Sequence, residues 1–218
     1  MLILVKRKDS LSKEQLYDKG KYAISDVLKG GEDVIVQVVK ESLGTKGPKI
    51  TTHISIPGKF IVLTPHSQNI NVSRKITDGE EINRLKNIGN EIKESNIGMI
   101  FRTNAENIGE DILSGEYNSL LSIYRKIEKE RTFLPTPKLI YKELDLAYQI
   151  VRDTFNDRNF EIIVNDKDVY NRIISYEESF SYGLKGKIIL NKNFSIDNNT
   201  NIQMDIKEAL ERRVNLKS

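Results

Sequence analysis

The chain has 218 residues, of which 38% are hydrophobic and 30% charged, so it can bury the core of one large domain or a few small ones. It contains no cysteine, which excludes disulfides, cysteine-based zinc sites and thiol nucleophiles and fits a reducing cytoplasm. The formal net charge of +3 does not identify a nucleic-acid binder, and no apolar run reaches the roughly 20 residues of a membrane-spanning helix. We therefore expect a cytoplasmic protein that makes no membrane contact.

The N-terminal part is predicted to be β-structure. Residues 32–40 are rich in β-branched side chains, residues 50–56 alternate polar and apolar positions, and residues 59–63 form a further apolar run. A hairpin turn is expected at residues 44–48, and Pro57-Gly58 supplies another turn. Short strands joined by glycine-containing turns favour a small barrel or meander.

After Thr77 the hydrophobic period becomes helical. Thr77 and Glu80 form a predicted capping box, residues 98–101 a short strand, and residues 110–130 a long helix. The side chains expected to face inward are Ile82, Leu85 and Ile92 on the first helix, and Ile112, Leu113, Leu120, Leu121, Tyr124 and Ile127 on the second.

The last third alternates helices and strands. Pro135 and Pro137 mark a predicted linker. The elements expected after it are a helix at residues 144–155, strands at 161–164 and 187–190, and helices that begin near Lys167 and Ile202. Alternation of this kind is typical of a small α/β unit. The whole chain is therefore predicted to be α+β.

A basic stretch covers residues 42–77. It holds no acidic residue, and its cationic side chains are Lys46, Lys49, Lys59, Arg74 and Lys75. Each cation that neutralises a phosphate releases a counterion, so such a patch gives salt-dependent affinity for nucleic acid. The alternative is a solvated sheet edge whose lysines prevent aggregation. The composition leaves both interpretations open.

Arg102 and Thr103 follow the short strand at residues 98–101. An arginine fork, a hydroxyl and free main-chain amides at a strand end suit a terminal phosphate. An isolated Arg-Thr pair is more commonly a surface feature. This pair is therefore a candidate anion site that needs support from the rest of the sequence.

No metal site is expected. His53 and His66 are the only histidines, and His53 is predicted to lie on a sheet face. Asp145 and Asp153 share a predicted helix, but their spacing sets them roughly 12 Å apart along the axis, too far to share a pair of metal ions. Residues 44–47 lack the spacing of a phosphate-binding P-loop.

Several motifs together resemble the ribonuclease E/G family. The segment GTKGPKITTHISIPGKFIVLTPHSQNINVSRKI at residues 44–76 resembles the passage from that family's OB-type RNA-binding domain into its 5′ sensor. GMIFRT at residues 98–103 is similar to the next signature, and LDLAYQIVRDTF at 144–155 resembles the ribonuclease-H-like portion. Residues 202–218 resemble the segment that enters the catalytic domain.

The resemblance implies a division into three parts. Residues 1–56 correspond to the C-terminal part of an OB-type RNA-binding domain, present here as a partial β-barrel. Residues 57–147 correspond to a 5′-sensor domain of mixed sheet and helices. Residues 148–218 correspond to a small α/β ribonuclease-H-like structural portion.

The resemblance also implies roles for particular residues. Arg102 and Thr103 would grip a 5′-monophosphate, and Arg74 would brace the pocket. Gly58 would let its main chain approach the terminal nucleotide, and Val62 would pack on the terminal base. The lysines expected along the RNA are Lys46, Lys49, Lys59 and Lys75.

The chain departs from the family pattern at several points. Lys75 stands where the family has an arginine, and Asn104 replaces a small apolar residue. The first half-barrel with its aromatic residues is expected to be missing, and the sequence contains no cysteine of the kind that bridges family dimers through zinc. The family's catalytic aspartates, which hold Mg²⁺, are expected beyond Ser218, so no catalytic residue and no cofactor are expected in this chain.

These features predict an RNA-binding, 5′-monophosphate-sensing fragment of an endoribonuclease that works in RNA processing and decay. The expected partner is single-stranded RNA with a 5′-monophosphate. Two further partners are considered, a second copy of this chain and a separate catalytic domain. Two alternatives stay open: half of a split endoribonuclease that gains activity with a separate catalytic chain, and a plain OB-type nucleic-acid binder without end preference.

Overall fold

A computed structural model describes residues 2–6, 33–133, 136–143, 146–154, 161–180, 182–184, 186–194 and 202–211. Within these ranges the chain has a mixed α+β fold, as its sequence predicts. It divides into two compact units, Met1–Asp153 and Thr154–Ser218. None of the described helices is long and apolar enough to cross a membrane.

The first sheet of unit 1 is antiparallel and has four strands. They are β1 (Leu2–Lys6), β2 (Asp33–Lys40), β3 (Lys49–Thr51) and β8 (Lys138–Tyr141), in the order β3-β2-β1-β8. The predicted hairpin joins β2 to β3, and within it the backbones of Leu43 and Lys46 bond to each other. The described strands of this sheet do not close into a barrel.

The prediction of one continuous strand at residues 50–56 is wrong. The chain forms β3, bends at residues 52–53 and resumes as the short strand β4 (Ile56–Pro57). The Gln37 side chain takes the place of a strand neighbour, since its amide accepts from Ser55 N at 2.9 Å and donates to Ser55 O at 3.0 Å. His53 consequently lies in an exposed bend and not on a sheet face.

The second sheet of unit 1 positions the candidate site. Its strands are β4, β5 (Ile61–Thr64), β7 (Gly98–Phe101) and β6 (Ile70–Val72), in the order β4-β5-β7-β6. β5 and β7 are antiparallel, whereas β6 and β7 are parallel. Because a parallel pair needs a crossover, helix α1 (Gly79–Ile92) connects β6 to β7.

Helix α1 begins with Asp78 as its N-cap, whose carboxylate accepts from Glu80 N at 3.0 Å. The capping box predicted from Thr77 is therefore displaced by one residue, because aspartate is an equally good cap. Leu85, Ile88 and Gly89 are buried on the face toward the sheet. A Cβ on Gly89 would lie 2.9 Å from the Ile70 side chain, so the glycine lets the helix pack closely.

Helix α2 (Glu110–Phe133) packs on the same sheet. Its buried face repeats every three or four residues and consists of Leu113, Tyr117, Leu120, Leu121 and Ile127. Ile112 was predicted to face inward but is 52% exposed, because it precedes Leu113 by one residue and is rotated about 100° from that face. The core that this helix covers contains Ile61, Leu63, Met99 and Phe101.

Helix α3 (Leu146–Thr154) and unit 2 confirm the predicted alternation. In α3, Tyr148 and Val151 are buried, while Leu144 and Phe155 lie outside the described residues. In unit 2, strands β9 (Ile162–Val164) and β10 (Ile188–Leu190) are parallel and are joined through helix α4 (Lys167–Phe180). Helix α5 (Ile202–Ala209) follows. The three-domain division stays a prediction.

Candidate functional site

Arg102 lies at one end of the second sheet, directly after β7. Its backbone N–H donates to Phe60 O at 2.7 Å and thereby extends the β5–β7 ladder by one bond. Gly58 N donates to Ile61 O at 2.7 Å and closes the turn between β4 and β5. The strand end that carries Arg102 is thus held beside the turn that contains Gly58.

A buried carboxylate fixes the shape of this turn. Glu116 on α2 is 2% exposed and accepts from three successive backbone N–H groups, those of Lys59 at 2.6 Å, Phe60 at 2.9 Å and Ile61 at 2.7 Å. Such charge-assisted bonds offset the penalty for burying the charge. The sequence interpretation missed Glu116, although an acid three residues after Leu113 on an apolar helix face was a usable signal.

The glycine at position 58 is required by the same carboxylate. A Cβ at Gly58 would lie 2.6 Å from Cδ of Glu116, a separation that real Cβ atoms essentially never show. The sequence prediction assigned the absence of a side chain to the approach of a nucleotide. The structure places Glu116 in the space that a side chain at Gly58 would need.

Both N–H groups on one nitrogen of the Arg102 guanidinium, Nη1, donate hydrogen bonds within the protein. Nη1 donates to Gly58 O at 2.6 Å and to Asp153 Oδ1 at 2.6 Å. Among the described residues, none accepts a hydrogen bond from Nε or Nη2 of Arg102, and the side chain is 28% exposed. The structure therefore fixes the orientation of the guanidinium, and the edge formed by Nε and Nη2 has no acceptor in the part of the chain that the structure describes.

Arg152 also holds Asp153 in place through its carboxylate. Its Nε donates to Oδ1 of Asp153 at 3.0 Å and its Nη2 to Oδ2 at 3.2 Å, while Nη1 bonds to Pro57 O and to Glu143 Oε1. Burial raises the pKa of Asp153, but hydrogen bonds from Arg152 and Arg102 outweigh that effect and lower it. These ion pairs thus join two cations and two anions into one cluster without net charge, formed by Arg102, Arg152, Asp153 and Glu143.

The predicted phosphate residue Thr103 meets the Ser-Arg-Lys-Ile segment. The hydroxyls of Thr103 and Ser73 are 3.2 Å apart, and Ser73 N donates to Phe101 O at 2.8 Å. Thr103 opens a single 3₁₀ turn, Thr103–Ala105, whose N-cap position is Arg102. The neighbouring side chains of Arg74 and Lys75 are exposed.

A second ion pair secures the loop that follows Thr103. Glu81, 7% exposed, receives two bonds from Arg84 at 2.6 and 2.7 Å, and it also accepts from Asn107 N at 2.9 Å. Arg84 Nη1 donates to Ile108 O at 3.0 Å. The bonds from Arg84 lower the pKa of Glu81, with burial opposing them. The loop after the candidate site is therefore tied to α1.

The other predicted site residues are more dispersed. Val62 is half-buried and alternates with the buried Ile61 and Leu63, so its side chain lies on the opposite face of β5. Lys46 and Lys49 are exposed in the first sheet's hairpin. The Lys59 side chain is only 6% exposed and its ammonium lies 5.1 Å from the centre of the Phe60 ring, so a direct contact with RNA would need it to reach solvent.

Acidic groups do not gather into a metal site in the described ranges. No cluster of three or more His, Cys, Asp or Glu side chains that could hold an ion occurs there. Asp153, considered above as one of a pair with Asp145, is bonded to two arginines instead. Asp145 lies outside the described residues.

Comparison with known proteins assigns the chain to a family. The model of the ribonuclease E/G family matches residues 55–218. Ribonuclease G of Haemophilus influenzae is 33% identical over 90% of this chain, and ribonuclease G of Escherichia coli strain K12 is 31% identical over 89% of it. Ribonuclease E of a Nostoc species is 31% identical over 90% of the chain. The chain spans 40% of the length of the two ribonuclease G proteins and 29% of that ribonuclease E. By this match over three quarters of its length, the chain belongs to the ribonuclease E/G family.

Proposed function

We propose that this chain binds single-stranded RNA and recognises a 5′-monophosphate at Arg102 and Thr103, as part of an endoribonuclease that processes and degrades RNA. The observation that supports this most directly is the state of Arg102. Its Nη1 is fixed by Gly58 O and Asp153, while Nε and Nη2 have no acceptor among the residues described here. The names of the relatives, ribonuclease G and ribonuclease E, support RNA as the ligand.

An arginine in this state suits a terminal phosphate. The N–H groups of Nε and Nη2 lie in one plane and match two oxygens of a phosphate in a bidentate contact. Because Nη1 is already fixed, little side-chain entropy is lost when the ligand binds. The Thr103 hydroxyl, next to Arg102 in the chain and 3.2 Å from Ser73 Oγ, is the natural second donor.

The charge of the ligand favours an RNA end over an internal position. A terminal monophosphate carries close to two negative charges at neutral pH, whereas each internal phosphodiester carries one. A 5′-hydroxyl end offers no phosphate to the fork at all. General attraction to the rest of the RNA backbone is assigned to exposed cations, which are Lys46, Lys49, Arg74 and Lys75. Val62 is assigned to the terminal base, and the buried Lys59 to an indirect electrostatic contribution.

The domain roles follow from the same proposal. We assign the sheet β3-β2-β1-β8 to the OB-type RNA-binding portion and the sheet β4-β5-β7-β6, with α1 and α2, to the 5′ sensor. Unit 2, in which α4 joins two parallel strands, is assigned to the ribonuclease-H-like portion. The antiparallel pairing of the first sheet is compatible with part of an OB barrel.

The proposal is tested by measuring binding of one RNA oligonucleotide with two different 5′ ends. Fluorescence anisotropy with a 3′-labelled single strand should give at least tenfold tighter binding for the 5′-monophosphate than for the 5′-hydroxyl, because a charged bidentate contact contributes roughly 1.5–3 kcal/mol. Arg102→Ala should remove that difference and leave the 5′-hydroxyl affinity nearly unchanged. Equal affinities of the unmodified chain for the two ends would refute end recognition and favour a plain nucleic-acid binder.

A further inference from the structure

We infer that Asp153 is the charge-selecting residue of this site, favouring a 5′-monophosphate over the more highly charged 5′-triphosphate. The inference rests on the proposed function and adds to it an electrostatic source of selectivity. It starts from one contact: the carboxylate of Asp153 is bonded to the same guanidinium that is assigned to the ligand, at 2.6 Å from Nη1 of Arg102.

The position of Asp153 brings its charge close to any anion at this site. A phosphate bound to Nε and Nη2 of Arg102 would lie across the guanidinium from Asp153, about 7 Å from the carboxylate, given ordinary hydrogen-bond lengths. The side chain of Asp153 is 37% exposed, so part of that path runs through solvent. The further negative charges of a triphosphate lie beyond that phosphate, about 10–12 Å from the carboxylate, where they are still repelled at low ionic strength.

The cluster has no excess positive charge to offset that repulsion. The charges of Arg102 and Arg152 are balanced by those of Asp153 and Glu143. A monophosphate can therefore be held by directional hydrogen bonds from Arg102, with little additional attraction from the cluster. The two extra charges of a triphosphate gain no further bond from the fork and are repelled by the carboxylate.

The stability of helix α3 does not explain why an acidic residue stands at position 153. Asp153 lies in the last turn of α3, where the partial negative charge of the helix end disfavours a carboxylate. The carbonyl of an asparagine could accept the two bonds that Arg102 and Arg152 make to Oδ1, but its NH2 group could not accept the bond from Arg152 Nη2 to Oδ2. Asparagine therefore removes the negative charge together with one hydrogen bond, and only the effect of the charge is screened by salt. This difference makes the contribution of the charge measurable.

The test compares three 5′ ends, hydroxyl, monophosphate and triphosphate, on one RNA oligonucleotide, for the unmodified chain and for Asp153→Asn at low salt. Asp153→Asn should lower the ratio of monophosphate to triphosphate affinity roughly threefold, the effect of one carboxylate on the two outer charges of the triphosphate, about 10–12 Å away in water. The shift should shrink at higher salt, which a purely steric preference would not do. Asp153→Ser, which also removes the charge, should shift the ratio in the same direction.

Glu94→Gln is the matched control, because it makes the same charge change in the exposed pair of Glu94 with Arg125. Glu94 precedes β7, whereas Arg102 follows it, so this variant should leave the ratio unchanged. An unaltered ratio in folded Asp153→Asn overturns the inference, as does an equal shift in Glu94→Gln or the failure of both Asp153 variants to fold. Loss of the distinction between monophosphate and hydroxyl in the unmodified chain would instead overturn the proposed function, and this inference with it.

Discussion

The carboxylate of Glu116 occupies the space that a side chain at Gly58 would fill, with Cδ at 2.6 Å from the position of the missing Cβ. The two residues are far apart in sequence, yet each restricts which side chain the other position can carry. Glu116 needs the turn backbone to approach closely, and the turn needs an acceptor for three N–H groups. A change at either position should therefore act through the other.

Gly58→Ala is expected to destabilise the fold by about 1–3 kcal/mol, because the new methyl group must displace a buried carboxylate. Urea unfolding monitored by circular dichroism measures this loss. Gly115→Ala is the matched control, since a Cβ at Gly115 meets nothing within 4 Å and the position lies inside α2. That control should stabilise the protein by up to about 1 kcal/mol. Equal effects of the two substitutions would contradict the assigned close contact.

Glu116→Gln is expected to cost about 1–3 kcal/mol, because one oxygen that accepts N–H bonds becomes an amino group that cannot. Amide hydrogen exchange of Lys59, Phe60 and Ile61 gives the local measurement, and their protection should fall. Glu128→Gln on the same helix provides a comparison in a different environment and should leave these three amides protected. Unchanged protection in Glu116→Gln would contradict the role of the carboxylate.

Arg102→Lys is expected to keep the affinity for 5′-hydroxyl RNA and to lose most of the preference for a 5′-monophosphate. Lysine retains the charge but has no planar fork, so it cannot make the bidentate contact. Binding of the two RNA ends, measured in parallel, gives the ratio. Arg125→Lys, in an exposed ion pair with Glu94, is the control and should preserve the ratio. A full preference in Arg102→Lys would show that charge alone is recognised.

The Glu81–Arg84 pair predicts a dependence of stability on pH. The folded-state pKa of Glu81 is lowered from its ordinary value of 4.5, chiefly by the bonds from Arg84. Its contribution to stability is therefore present above about pH 4.5 and is lost as the pH falls through the lower folded value. Glu81→Gln should be less stable than the unmodified chain at pH 7. Urea unfolding from pH 7 to pH 3 should show this difference shrink, and a constant difference would contradict the assignment.

Tyr117→Phe is expected to cost about 1 kcal/mol, since the buried hydroxyl accepts from Glu94 N at 2.8 Å just after α1. Thermal unfolding measures the change, and hydrogen exchange at Glu94 locates it. Tyr170→Phe is the control, because within the described residues the Tyr170 hydroxyl makes no hydrogen bond. A loss of the same size in the control would mean that the cost is not due to this bond.

The order of strands and helices could be predicted from the sequence because it depends on local periodicity. The long helix from Glu110 and the strand at residues 98–101 agree with the structure for that reason. Arg102 and Thr103 are singled out by a resemblance carried by contiguous motifs, and their role stays a prediction. Their partners are not singled out in this way, since Asp153 is 51 positions from Arg102 and Glu116 is 57 positions from Lys59. No local pattern specifies which distant acid a given arginine or amide will meet.

The three bonds from Glu116 have a further consequence for the order in which the molecule is built. They span 55 to 57 positions of chain, so the amides of Lys59, Phe60 and Ile61 have water as their acceptor until α2 has docked on the sheet. Closing such a long loop is slow compared with forming a helix or a hairpin. A peptide cut out as residues 44–76 would carry every conspicuous motif of this region and still lack the shape that places Gly58 O beneath Arg102.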